Sequence, residues 1–170
     1  VFYVKVLPLF PHKYSGQYDL SIQVPQDLPS LILNTSSGDG VLKKLAIQKI
    51  KINSAHGDFR LEEIEAESIT IETASSDIRV KNTQGDMDVK SASGDALIEN
   101  AKGRTFNYQS ASGDLKLDGD YETIHLNNVS GDINAQLKTI KQMHVSNVSA
   151  DIHVKIENSN DLLISSSTLN

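Results

Sequence analysis

Residues 87–98 read Met87-Asp88-Val89-Lys90-Ser91-Ala92-Ser93-Gly94-Asp95-Ala96-Leu97-Ile98, and residues 106–117 read Phe106-Asn107-Tyr108-Gln109-Ser110-Ala111-Ser112-Gly113-Asp114-Leu115-Lys116-Leu117. Each stretch carries apolar residues eight and six places before an aspartate and one and three places after it, with Ser-Gly directly ahead of the aspartate. The frame extends both ways along the chain. Related triplets occur at Ser37-Gly38-Asp39, His56-Gly57-Asp58, Ser75-Ser76-Asp77, Ser130-Gly131-Asp132 and Ser149-Ala150-Asp151, and the Asp-to-Asp spacings are 19, 19, 18, 19, 18 and 19. Across the seven copies the four apolar columns are broken only by Gly40. The interleaved columns hold just Ile32, Val41 and Leu97 as apolar residues.

Alternation with a period of two on both sides of a turn marks strands with one dry and one wet face. No single copy can bury its apolar stripe, so the copies must stack. The pattern predicts an all-β fold, a β-solenoid of about seven rungs of 18–19 residues with two short strands per rung. At ~4.8 Å per rung the stack extends about 30 Å. A helix fails because apolar pairs at i and i+2, interrupted by Ser, Gly and Asp, trace no stripe of period 3.6. A Greek-key sandwich is the competing all-β fold, but fixed spacing and identical turn chemistry favour the solenoid.

Residues 1–30 fall outside the repeat and are expected to cap the solenoid as edge strands, with Phe2, Val4 and Val6 alternating, then Leu20, Ile22 and Val24. Pro8, Pro11, His12, Ser15 and Gly16 mark a loop between them. Residues 31–170 form the repeats. At the far end Leu162, Ile164 and Ser166 match the columns eight, six and four before an aspartate, which puts Asn170 in the eighth Asp position. That end is expected to be cut within a rung, and its open edge to promote self-association. The start at Val1, with no Met, suggests a fragment separated from its targeting or anchoring segment.

Twenty-two acidic against 16 basic side chains leave a net charge of −6, which disfavours a general nucleic-acid binder. Without cysteine there is no disulfide, thiolate nucleophile or Cys-ligated metal. No apolar run approaches the length needed to span a bilayer.

The turn aspartates Asp39, Asp58, Asp77, Asp95, Asp114, Asp132 and Asp151 are the most conspicuous chemical feature. They are read as a structural ladder in which each carboxylate accepts main-chain N–H groups and closes its own turn. Repulsion of roughly 0.9 kcal/mol per neighbour in water is smaller than such a bond. A calcium ladder lacks a regular second acidic turn, because Asp86, Asp88, Asp118 and Asp120 form no column. No metal or other cofactor is expected. Since Ser76 and Ala150 replace glycine before the aspartate, positive φ is not expected there, and close stacking accounts for the glycines. The preceding serines suggest a hydroxyl ladder. His125 and His144 share an outward column but lack a third ligand, so they read as a solvated pair. Arg60, Arg79, Lys116 and His153 share the outward column two after the aspartate, a candidate surface for an anionic polymer or headgroup.

The run Leu20-Ser21-Ile22-Gln23-Val24-Pro25, leading into Leu31-Ile32-Leu33-Asn34-Thr35-Ser36-Ser37-Gly38-Asp39 and the serial Ser-Gly-Asp rungs, resembles the bacterial adhesin β-strand-repeat family of Gram-positive envelope proteins. That family includes the Lia-type components of the cell-envelope stress response. The resemblance covers residues 18–170 and brings no catalytic residues. It implies an extracytoplasmic, envelope-associated module. The expected role is a non-enzymatic scaffold or recognition surface whose partner is an envelope protein, a cationic peptide or a surface polymer, with sensing of envelope damage by antimicrobial peptides as the process it would serve. Adhesion through the basic column is the alternative. Polysaccharide cleavage, known from longer β-solenoids, is disfavoured by short, even connections and the lack of Trp.

Overall fold

Stacking in register lets every rung extend the same core. The computed structural model describes residues 2–5, 28–158 and 162–168. Its strands are β1 (Phe2–Lys5), β2 (Ser30–Thr35), β3 (Gly40–His56), β4 (Phe59–Ser75), β5 (Ile78–Ser93), β6 (Ala96–Ser112), β7 (Leu115–Ser130), β8 (Ile133–Thr139), β9 (Gln142–Ser149), β10 (Ile152–Asn158) and β11 (Leu163–Thr168). All pairings are parallel, and each rung bonds to the next. After β7 the rung splits: β8 and β9 both lie on β7, and β10 and β11 lie on β8 and β9. This is the β-solenoid of about seven turns that the repeat predicts.

The four apolar columns point inward. Ile50, Ile52, Phe59, Leu61, Phe106 and Tyr108 are at most 1% exposed, like most of their counterparts. Burial falls off in the end rungs, where Leu33 and Val154 are only partly covered and Ile152 is 38% exposed, because an end rung has one neighbour instead of two. Gly40, the single gap in the columns, faces the Phe59 ring, whose Cδ1 would lie 2.5 Å from a Cβ there. The large residue takes the space that the small one leaves.

Each central rung is longer than two short strands. In β4, inward residues fall at Phe59 and Leu61, then Ile64 and Ala66, then Ile69 and Ile71, so the period-two parity slips twice within one strand. The first slip is a corner built on left-handed backbone at Lys44, Glu63, Asn82 and Asn100, with φ of 54°, 56°, 52° and 49°. The second coincides with register shifts at Glu65/Ser68 and Gln84/Met87, where one strand of each pair has an extra residue. A rung therefore has three inward-facing sides.

At the start, β1 pairs with β2, Phe2 beside Leu31 and Val4 beside Leu33. The other expected edge strand, Leu20 to Val24, the proline loop, Val6 and Asn170 lie outside the described residues. At the far end the register differs from the expected one. Ile164 lies beside Met143 and Ser166 beside Val145, so Ile164, not Leu162, takes the column eight before the aspartate. The step from Met143 to Ile164 is 21 residues instead of 18 or 19, which moves the column by two.

Candidate functional site

The seven aspartates form a file along one corner. Oδ1 of Asp39 accepts the N–H of Asp58 at 2.9 Å, and the same bond joins Asp58 to Asp77, Asp77 to Asp95, Asp95 to Asp114, Asp114 to Asp132 and Asp132 to Asp151 at 2.8–3.0 Å. The main chain supplies the reciprocal link: Phe59, Ile78, Ala96, Leu115 and Ile133 each donate N–H to the aspartate carbonyl of the following rung. Six of the seven carboxylates thus tie their turn to the next one and do not close their own, a correction to the expected role. A bent corner cannot continue the strand ladder unaided, and the side chain supplies the missing acceptor.

Turn closure falls to the column four before the aspartate, to which the repeat alone gives no role. Thr35, Ser54, Ser91 and Ser110 donate their hydroxyls to the carbonyls of Ser37, His56, Ser93 and Ser112. Asn128 and Asn147 reach the carbonyls of Gly131 and Ala150. The signal was present, since all seven positions, including Thr73, carry a hydroxyl or amide.

The glycine column corrects another expectation. Gly38, Gly57, Gly94, Gly113 and Gly131 all have positive φ, from 109° to 137°, while Ser76 and Ala150 turn the corner without it. Stacking also matters: a Cβ on Gly57, Gly94, Gly113 or Gly131 would run into the main-chain carbonyl of the preceding corner, whereas Gly38, in the first corner, faces open space. The expected hydroxyl ladder is reduced, among the described residues, to the 2.8 Å contact of Ser75 Oγ with Ser93 Oγ.

Arg60 lies beside Arg79, followed in register by the half-buried Leu97, then Lys116, Asn134 and His153, so the basic residues share one file that Leu97 and Asn134 interrupt. Its charge is partly offset by Glu62, which pairs with Lys43 at 2.9 Å and lies 3.8 Å from Arg60 Nε. The hydrogen bond from Lys43 holds the Glu62 carboxyl below its ordinary range. His125 and His144 are neighbours with ring centroids 6.4 Å apart, and His125 Nδ1 is 3.0 Å from Asn107 Oδ1. Among the described residues no three His, Cys, Asp or Glu side chains group so as to hold a metal ion.

One of the scattered acids has a defined task. Asp86 sits at the bulge where β6 carries its extra residue, and Oδ1 accepts N–H from both Arg104 and Thr105 at 2.9 and 3.1 Å while Oδ2 meets the Arg104 guanidinium at 2.8 Å. Burial pushes the Asp86 carboxyl up, but these three donors outweigh it and hold the group below its usual value.

Parallel rungs around one core, a self-bonded acidic corner and outward side chains in long files define a stacked-repeat β-solenoid domain. The chain belongs to the family described as Toastrack DUF4097, which matches residues 12–168. No curated protein and no solved structure matches it. No helix among the described residues is long and apolar enough to cross a membrane.

Proposed function

We propose that this Toastrack domain is a non-enzymatic, extracytoplasmic module of the cell envelope that acts as a scaffold or recognition surface. One observation carries the reading: outward positions recur in register rung by rung, so the surface offers parallel files, and among the described residues none of these files gathers into a metal-binding cluster. The acidic corner is one such rail. Six of its aspartates use Oδ1 for the next rung, and Oδ2 makes no hydrogen bond among the described residues. With a net charge of −6 the rail suits a cationic peptide, in keeping with the Lia-type stress role that the sequence resemblance implies. Titration calorimetry with a cationic antimicrobial peptide should show binding that weakens as salt is raised. Absent or salt-insensitive binding would contradict this. A product assay on cell-wall and plant polysaccharides should detect no cleavage.

A second reading rests on the side-by-side placement of Arg60 and Arg79. It makes the domain an adhesin-type module for an anionic glycopolymer, and the combined substitutions Arg60→Glu, Arg79→Glu and Lys116→Glu should abolish such binding. Self-association belongs to the same proposal, because Leu163 and Ile164 are 64% and 54% exposed on the last described rung. Sedimentation at rising concentration should reveal it, and a strict monomer throughout would count against it.

A further inference from the structure

Beside the acidic corner the surface sinks into a trough of about 1250 Å³ that runs along the stack from the Asn34 rung to the Val148 rung. Three columns line it, and the one five before the aspartate is interrupted by Glu72 and Lys90. The column five before the aspartate supplies amides such as Asn53, Gln109 and Asn127, and the column three before it supplies methyl groups such as Ala74, Ala111 and Val129. The column between them is the deepest, with Ser110 7% and Asn128 3% exposed.

We infer that this trough holds an extended, uncharged polysaccharide chain lying along the stack, which rests on the recognition role proposed above and gives it a ligand class. A pyranose presents apolar C–H faces and a rim of hydroxyls that both donate and accept. The methyl side of the trough matches the first and the amide side the second. Among the described residues, Gln109 and Asn127 adjoin in register and make no side-chain hydrogen bond, so both are available. The Ser54 and Ser110 hydroxyls are already committed as donors to corner carbonyls and present their lone pairs.

Charge argues in the same direction. Among the described residues the charged ones lining the trough are Glu72 and Lys90, of opposite sign and 3.9 Å apart, so they bring no net charge to attract a polyelectrolyte. The rung spacing of ~4.8 Å is close to the advance of one sugar in an extended β-1,4-linked chain, so one register of contacts can recur along it. An extended peptide fits less well. The trough runs across the strands, whose N–H and C=O groups are occupied by neighbouring rungs, leaving none for strand addition.

The test is calorimetric titration with β-1,4-linked glucose and N-acetylglucosamine oligomers, from trimer to hexamer. At least one series should bind, with the hexamer tighter than the trimer by roughly tenfold or more. Ala111→Arg, at an exposed site, should weaken hexamer binding by roughly tenfold or more while circular dichroism stays unchanged. The inference is overturned if neither hexamer binds, if trimer and hexamer bind alike, if Ala111→Arg binds as the parent does, or if an extended neutral peptide takes the trough instead. Retained binding of cationic peptide or anionic polymer alongside any of these results would overturn the trough alone; loss of all binding would remove the recognition role as well.

Discussion

Asp95 accepts the N–H of Asp114 and donates its own N–H to Asp77, so one residue links three rungs. Replacing it with alanine leaves an N–H without its acceptor at an exposed corner, and chemical denaturation should show a loss of about 1–2 kcal/mol. Asp95→Asn keeps an acceptor and should cost less; equal losses would contradict the role of the bond. The glycine ahead of the aspartate faces two separate constraints. Gly38→Ala meets only the backbone penalty and should cost about 1–3 kcal/mol. Gly113→Ala adds a collision with the Gly94 carbonyl and should cost about 3–5 kcal/mol by the same measurement. Asp86 brings a pH dependence. Its folded-state pKa lies below the ordinary aspartate value, so its contribution is complete above the unfolded value and is lost as pH falls through the folded one. Asp86→Asn should therefore be less stable at neutral pH, and the gap to the parent should close on acidification below about pH 4. Parallel stability curves would contradict this. The corner file is legible in the sequence because Ser, Gly and Asp recur as residue types. The direction of its bonds is not, since an aspartate that reaches forward to the next rung and one that closes its own turn have the same spelling.

At the scale of the rung, the sides flanking the acidic corner are written in strict alternation, and the columns through Ile69, Ile71, Ile78 and Val80 can be read directly. The third side is hidden. Its inward residues in one column are Leu45, Ile64, Thr83, Ala101, Gly119 and Leu137, which range from leucine to glycine with no common type, and the corner before it is carried by Lys44, Glu63, Asn82 and Asn100. Only the two asparagines, joined by a 2.8 Å amide bond, hint at left-handed backbone. Glu63 holds φ of 56° without the tolerance that asparagine has for it. Glu63→Asn should raise unfolding stability by about 1 kcal/mol, whereas Glu63→Ala should bring no such gain. A neutral or destabilising asparagine would contradict the corner's geometry. The outward files were legible as columns for the same reason as the inward ones, but the trough was not, because its lining is a matter of depth between neighbouring columns and not of residue type alone.

Across the whole molecule, stability and surface pattern both follow from repetition. A rung contributes its apolar sides to a core that its neighbours complete, and the same register turns single outward residues into rails of acid, base, amide and methyl. The cysteine-free chain allows that register to be measured directly. Spin labels on introduced cysteines at Val41, Lys116 and His153, all in one outward column, should report separations that grow with the number of rungs between them. Label-to-label distances by pulsed dipolar spectroscopy should centre near 19 Å for Val41 and Lys116, four rungs apart, and near 29 Å for Val41 and His153, six rungs apart, at ~4.8 Å per rung. Distances that fail to increase in that proportion, or a pair that folds back to similar separations, would contradict the stacked register.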